Sequence, residues 1–334
     1  MGKRLSVIIP NHNGAGTIGR CLEAAFASRF DDFEVVVVDD CSDDDSVRVI
    51  GQFPCRLITL DRRSGSASAR NEGARQSSGE VLFFIDADCL LQPDTLSAVD
   101  RTITGNEDCV FGGTYTPLPY DRDFFSVFQS VFINYSETKR VEPDYIAGHA
   151  MAVKRDLFLR QQGFPEVFLP IIEDVEFSHR LRKAGIKLVM NPEILVTHIF
   201  NFTFVKSMRN AFRKSHFWTI YSLKNRDLAK DSGTASIELK VNVVSWVIIV
   251  AAGAILLLSR NTGYVMPLGL IALIILLANL VTSRRLLAAM LTTKGAGFAC
   301  LATLYYTVLY PLAVSAGGLS GLVRYYTAWR GRAF

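Results

Sequence analysis

Two aspartates one residue apart, Asp86 and Asp88, follow the apolar run Val81–Ile85. At the tip of a buried strand such a pair can converge on a hard cation. Mg²⁺ or Mn²⁺ takes one or two carboxylates and completes its shell with phosphate oxygens and water. A nucleoside diphosphate gains negative charge as it leaves, and a bridging cation stabilises that charge as a Lewis acid. The same residues also suit an ordinary strand end and turn. Farther along, Glu173 and Asp174 open a helical pattern that runs through Phe177 and Leu181 to Gly185. A carboxylate held there could take the proton of an attacking hydroxyl, or it could simply cap the helix. A helix N-terminus favours the ionised carboxylate and so weakens it as a base. His198 follows the strand-like Ile194–Thr197 and could complete a metal shell, or serve as a hydrogen-bonded structural histidine. His149, after Ala147-Gly148, is placed on a loop on the acceptor side rather than on a metal.

One apparent motif leads elsewhere. Gly14-Ala15-Gly16-Thr17-Ile18-Gly19 is a literal GxGxxG after a strand, with Asp39 some way beyond, which is the dinucleotide-binding fingerprint. However, Pro10-Asn11-His12-Asn13 separate the strand from the first glycine, and the acidic position is doubled as Asp39-Asp40. A dehydrogenase also leaves the later acidic pairs without a role.

These residues need a scaffold that brings them together. Leu5–Pro10, Glu34–Asp40, Arg56–Leu60 and Val81–Asp86 read as strands whose continuous apolar character suits a sheet covered on both faces. Helical patterns at Thr17–Arg29, Asp44–Gln52 and Ser66–Ser78 alternate with them, giving a doubly wound α/β sheet. Ligands of such sheets lie beyond the carboxyl ends of the strands. Those ends carry Asn11-His12-Asn13, Asp39-Asp40 and Asp86-Ala87-Asp88.

The composition changes after residue 200. Of the 334 residues 49% are apolar and mean hydropathy is +0.23, but the apolar excess is concentrated in 241–323. Runs at 241–259, 261–283 and 295–323 lack charge, and each meets the ~20 residues a helix needs to cross a bilayer. Three spans are expected, with the third, which holds Pro311 and Gly317-Gly318, open to being broken or re-entrant. Arg284, Arg285 and Lys294 in the linker, and the basic stretch 206–240, both place their side of the membrane inside. Three crossings would export Arg324, Arg330 and Arg332, against that rule. Val205, Met208 and Phe212 share one helical face, opposite Lys206, Arg209 and Arg213, which reads as a membrane-surface helix. The apolar stripe of Phe124, Phe128, Val131, Phe132 and Tyr135 reads the same way, or as a face packed on the sheet. The expected organisation is a catalytic domain over 1–200, a basic surface segment over 201–240, a transmembrane region over 241–323 and a tail over 324–334.

Six cysteines without paired spacing suggest neither zinc nor disulfides and fit a reducing compartment. The N-terminal apolar run is too short for a secretory signal. A net charge of +4 is too small to argue for nucleic acid.

Taken together, the stretches SVIIPNHNGAGTIGRCLEAAF, EVVVVDDCSDDDS, SGSASARNEGARQSSGEVLFFIDADC, AGHAMAVKRDLF and GFPEVFLPIIEDVEFSHRLRKAG closely resemble family 2 glycosyltransferases of the GT-A fold. The resemblance covers about 200 residues in the family's order. It implies an α/β nucleotide-diphospho-sugar transferase domain followed by an all-α transmembrane segment, and an inverting transfer that uses Mn²⁺ or Mg²⁺. On the donor side it implies Asp40 at the nucleobase with Pro10, Asn11 and Asn13 beside it, together with Arg70 and Asp86. Asp88 would be the main metal ligand, Asp86 would face ribose or metal, and His198 would also bind metal. Asp174 would be the general base, with Gly148, His149 and Glu173 on the acceptor side. Processive relatives carry a QxxRW motif before their membrane helices; the comparable stretch here, Arg209–Trp218, lacks it. The expectation is therefore transfer of one sugar, from a UDP-sugar in preference to a GDP-sugar, to a hydroxyl of a lipid or lipid-linked glycan. The enzyme would be multi-pass in the cell membrane with its catalytic domain on the cytoplasmic side. Two alternatives stay open: a polyprenyl-phosphate sugar synthase, and a non-catalytic membrane scaffold that binds nucleotide sugar.

Overall fold

The computed structural model describes residues 3–106, 108–166, 169–259 and 262–329, without the side chains of Thr262 and Trp329. Arg330 and Arg332, counted above in the charge balance of the tail, lie outside the described residues. The chain divides into two compact units. One runs to Arg122 and resumes over Ser136–Asn201; the other comprises Asp123–Tyr135 and the chain from Phe202 onward.

The first unit is built on β1 (Leu5–Asn11), β2 (Phe33–Asp39), β3 (Arg56–Thr59) and β4 (Val81–Ile85), all parallel. Helices α1 (Ile18–Phe26), α2 (Ser46–Ile50) and α3 (Ser66–Gln76) connect them. Val35–Val38 and Val81–Ile85 are buried throughout, as continuous apolar strands covered on both faces must be. The chain continues through β5 (Cys89–Leu91), α4 (Thr95–Ile103), β6 (Cys109–Tyr115), α5 (Phe124–Thr138), β7 (Ala150–Lys154), α6 (Arg155–Arg160), α7 (Glu173–Lys183) and β8 (Lys187–His198). The eight strands form one sheet in the order β3-β2-β1-β4-β7-β6-β8-β5. The parallel, doubly wound pattern holds for the first four strands. Beyond β4 the sheet is mixed, with β7 antiparallel to β4 and β6, β6 parallel to β8, and β5 antiparallel to β8. Under the sheet Phe84 meets Phe158 and Phe164 at ring distances of 5.0 and 5.2 Å, and Phe158 meets Phe177 at 5.3 Å. This aromatic cluster fixes α7, and hence Glu173 and Asp174, against the strand that leads into Asp86.

The second unit is helical: the first turns of α5, then α8 (Phe204–Asn225), α9 (Ile237–Ser259), α10 (Val265–Leu304) and α11 (Tyr310–Arg324), with a π-helical turn at Tyr305–Leu309. The apolar stripe of α5 is covered, which corrects its reading as a membrane-surface face. Phe128 and Phe132 are buried and pack on Tyr305 and Tyr310 at 4.8 and 5.9 Å, in the C-terminal helices rather than on the sheet. Two helical stretches, Ile237–Ser259 and Val265–Ala328, are long and apolar enough to cross a membrane. Most of their outward side chains are apolar and open, with Leu257, Leu258 and Met266 more than four-fifths exposed, although Arg284, Arg285 and Lys294 are exposed on the second stretch. Leaving them in water would be costly. The second stretch is interrupted at Lys294 and Gly295, whose backbone leaves the helical region. α8 begins at Thr203, whose side chain accepts from the Lys206 amide as an N-cap. α11 lies against it backbone to backbone. A Cβ on Gly317 would stand 2.3 Å from the Phe212 carbonyl oxygen, and one on Gly321 2.4 Å from that of His216. Small residues one helical turn apart allow this approach.

Candidate active site

At the ends of the first two strands the register pairs Asn11 with Asp39. Asn11 Nδ2 donates to Asp39 Oδ1 at 2.7 Å, and the Ser42 hydroxyl and amide also donate to Asp39, at 2.6 and 3.0 Å. Asn13, in the left-handed region with φ 52°, accepts from the Asp43 amide at 2.9 Å. Pro10 and Asn11 thus begin a rigid polar rim that continues into the loop after β2. Asp40 is buried, and its two oxygens accept from the Ser64 and Gly65 amides at 2.6 and 2.8 Å. The carboxylate predicted to meet the base therefore also ties down the loop that leads into α3.

Arg70 projects from α3 into the centre of the acidic groups. Its guanidinium is buried, donating to Asp86 Oδ1 at 2.5 Å and to Glu173 Oε1 at 2.8 Å. Ser66 also donates to Glu173, at 2.7 Å. One arginine thus spans residues 86 and 173, expected from sequence to serve donor and acceptor sides. Burial alone would raise the Asp86 carboxyl, but Arg70 outweighs it and holds the group below the ordinary range. Asp88, two residues on, behaves oppositely: burial and then the Asp86 charge push it up to about 7.

Asp174 Oδ2 accepts from the Gly148 amide at 2.9 Å, and Oδ1 from the Val175 amide at 2.9 Å. Despite these bonds and its helix N-terminus, burial and then neighbouring Glu173 raise it to about 6. The weakening expected from the helix terminus is overridden, which brings the carboxyl into the range that suits proton transfer near neutral pH. Just before it Ile172 has φ 83°, a conformation β-branched residues avoid, at a cost of order 1–3 kcal/mol. Such strain is retained where the surrounding structure must present particular groups.

His198 reaches the aspartates through the sheet. β5 pairs with β8 so that Cys89 faces His198, and the Ile199 amide donates to the Asp88 carbonyl at 2.8 Å. His198 Nε2 then lies 3.4 Å from Asp88 Oδ1. Among the described residues the possible metal donors of Asp88, Cys89 and His198 lie within 4.8 Å of one another. Cys89 is fully buried and its thiol is raised by burial, so it stays protonated and is a poor ligand for a hard cation. Asp88 and His198 fit a divalent cation that draws its other ligands from phosphate and water. A cation would also relieve the repulsion that raises Asp88. Asp86 stands outside this group of three, with Oδ1 engaged by Arg70.

Part of the site had no motif to announce it. Glu137 is buried near the end of α5, accepts from Thr114 Oγ1 at 2.7 Å and lies 3.4 Å from His149 Nε2. Tyr115 stacks on His149 at 4.0 Å and meets His198 edge-on at 4.8 Å, while Phe200 stacks on His198 at 3.9 Å. The two histidines are thus held by one tyrosine. The only sequence signal for Glu137 is a lone acid in an apolar helix.

Residues 6–158 match the family described as Glycosyl transferase family 2. Over 186 residues the chain is 31% identical to an uncharacterized glycosyltransferase of Haemophilus influenzae, covering 53% of this chain and 61% of that one. Over 210 residues it is 30% identical to the glycosyltransferase AglE of Haloferax volcanii, covering 58% and 66%. The match thus spans 61% and 66% of the length of these two relatives. Among solved structures it resembles the mannosyltransferase PcManGT of Pyrobaculum calidifontis, in complex with GDP-Man and Mn²⁺. The TM-score is 0.58 at 20% identity, over 98% of this chain and 88% of that one. It also resembles Staphylococcus aureus TarS residues 1–349, with a TM-score of 0.50 at 18% identity, over 94% and 90%. The mixed sheet, the acidic pairs at its strand ends and these likenesses agree: the chain carries a family 2 glycosyltransferase domain of GT-A fold.

Proposed function

We propose that the protein transfers one sugar from a nucleotide-sugar donor to a hydroxyl of a lipid or lipid-linked glycan, with inversion at the anomeric carbon. The observation that carries this reading is the buried Arg70, which joins Asp86 to Glu173 and so links the candidate donor side to the base Asp174. The nucleobase end of the donor lies against Asp40, Pro10, Asn11 and Asn13. Asp88 and His198, with Asp86 beside them, would hold Mn²⁺ or Mg²⁺. When bound, that cation supplies Lewis-acid stabilisation of the diphosphate. Asp174 takes the acceptor's proton as its oxygen bonds to the anomeric carbon. The bond from that carbon to the diphosphate oxygen breaks on the opposite face, and the nucleoside diphosphate leaves with the electron pair. Gly148 and His149 border the acceptor.

The C-terminal helices make the enzyme a membrane protein in this reading. Arg284 and Arg285, which the sequence placed in a linker but which lie within α10, and the basic α8 are read as holding the catalytic domain on the cytoplasmic side. The domain limits given above, and the expected count of three crossings, belong to the same reading.

Calorimetric titration of the detergent-purified protein with UDP and GDP, with and without Mn²⁺, tests the donor site. UDP is expected to bind only with the metal, and Asp88→Ala to remove that binding. Preferential GDP binding would redirect the donor to a guanosine sugar. A folded protein that binds neither nucleotide would refute the reading.

A further inference from the structure

In the second unit, α9 and the first part of α10 form an antiparallel pair that fits a bilayer. Asn279 Nδ2 donates to Asn242 Oδ1 at 2.8 Å, so the charge-free runs 241–259 and 265–283 lie side by side. Each is long enough for a hydrocarbon core of roughly 30 Å at about 1.5 Å per residue. Glu238, Lys240, Arg284 and Arg285 gather just beyond the bonded asparagines, at one end of the pair. Asn242 Nδ2 also donates to the Tyr306 carbonyl at 2.7 Å. One asparagine thus bonds residues on both sides of the break at Lys294 and Gly295, so the chain doubles back there to the same level.

From that level α11 does not run down beside α9. A groove of this unit is lined by α11 from Tyr310 to Leu322, but by α9 only as far as Val247. α11 therefore lies across the first turns of α9. Its companion is α8: Ser207 meets the Tyr305 hydroxyl at 2.9 Å, Ser215 Oγ donates to the Val314 carbonyl at 2.7 Å, and Gly321 packs on the His216 backbone. α8 exposes Lys206, Arg209 and Arg213, and cations that face lipid are excluded from the hydrocarbon centre. A crossing by α11 would carry all three into it. The open face of α11 is apolar, with Leu312, Leu319 and Val323 at helical spacing and each at least half exposed. A helix pair with one basic and one apolar open face suits the plane of the membrane.

We propose that the third apolar run does not cross: α8 and α11 form a two-helix platform lying in the plane of one leaflet. The partner of this surface is the lipid itself. The α11 stripe sits in the upper acyl region, and Lys206, Arg209 and Arg213 lie at the level of the lipid phosphates. α9 and 265–283 are then the two crossings, and Arg324 stays on the side of α8, Arg284 and Arg285. The clash of that arginine with the positive-inside rule disappears. Two crossings replace the expected three in the membrane placement given above, on which this proposal otherwise rests.

The test places a fluorescent amino acid by codon suppression at Leu312 or Leu319 of the full chain. The protein is reconstituted in phosphatidylcholine vesicles brominated either near the headgroup or near the chain ends. Val244 and Val250, both exposed on α9 and about 9 Å apart along it, are the references. Val244 should be quenched better by shallow bromine and Val250 by deep bromine. Leu312 and Leu319 are both expected to follow Val244, with a shallow-over-deep quenching ratio above one. A ratio below one at either position, with the references in order, would overturn the proposal. References without depth preference would remove the membrane placement and the proposal with it. In a bacterial host, fluorescent-protein and phosphatase fusions at either end of the chain should report the same side. Opposite sides would require an odd number of crossings and overturn the proposal too. UDP and GDP titrations of the same labelled variants read the donor site separately, so deep quenching with intact nucleotide binding sinks only the platform.

Discussion

Asp174→Asn is expected to lower kcat by about 10²–10⁴-fold, the usual worth of a general base, while nucleotide binding in the presence of Mn²⁺ stays close to wild type. The replacement keeps the size of the side chain and an oxygen for the Gly148 amide, so the loop it anchors should hold. It removes the proton acceptor. The pH profile gives a sharper sign. Asp174 must be ionised to act, and burial with Glu173 beside it sets its carboxyl at about 6. Below that pH, kcat/KM of the wild type should fall about tenfold per unit, and above it should level off. In Asp174→Asn this acid limb should be lost. A hydroxyl acceptor needs such a base, whereas a lipid phosphate is already ionised near neutral pH. A loss of less than about tenfold, with the limb intact, would point to a phosphate acceptor and to another group as the source of the limb.

The parts of the site that could be read in advance are those whose signal is local. The apolar run into Asp86-Ala87-Asp88, and the Glu173-Asp174 pair at a helix start, need only their own neighbours to be recognised. His198 differs: its approach to Asp88 depends on the β5–β8 ladder, a pairing across more than a hundred residues that no local pattern specifies. The mixed half of the sheet was hidden for a physical reason. β6 reads CVFGGTY, and two adjacent glycines argue against a strand. The structure shows why they are there. A Cβ on Gly113 would lie 2.3 Å from the Ile194 carbonyl oxygen, where the β6–β8 register shifts. The glycines let the strands close at that irregularity. The stripe of α5 failed differently. Periodicity identified an apolar face but not what covers it, and Tyr305 and Tyr310 come from the far end of the chain. Glu137 lies off that face, so the stripe could not point to it. The apolar tail was legible as membrane-length segments, but the break at Lys294 and Gly295 is a backbone event that hydropathy does not report.

The other large effect concerns Arg70. Its guanidinium is the positive charge bonded to both Asp86 and Glu173, and Asp174 lies within its field. Removing one partner from a buried charged network leaves the others uncompensated, at a typical cost of about 3–5 kcal/mol. Arg70→Met, which keeps much of the side-chain volume, is therefore expected to lower stability by about that amount in chemical unfolding of the detergent-solubilised protein. A second signature separates electrostatics from packing. Arg70 holds down the Asp174 carboxyl, so in the variant the acid limb of kcat/KM should move to higher pH. Loss of packing alone would lower stability without moving the limb. Adding Glu173→Gln removes one stranded negative charge and should restore part of both quantities. Arg70→Lys keeps the charge but not the fork that reaches two carboxylates, and should fall between wild type and Arg70→Met. If Arg70→Met unfolds like the wild type and its acid limb stays in place, the bridge contributes nothing. The coupling between donor side and base would then have to be sought in the Glu137–His149–Tyr115 contacts instead.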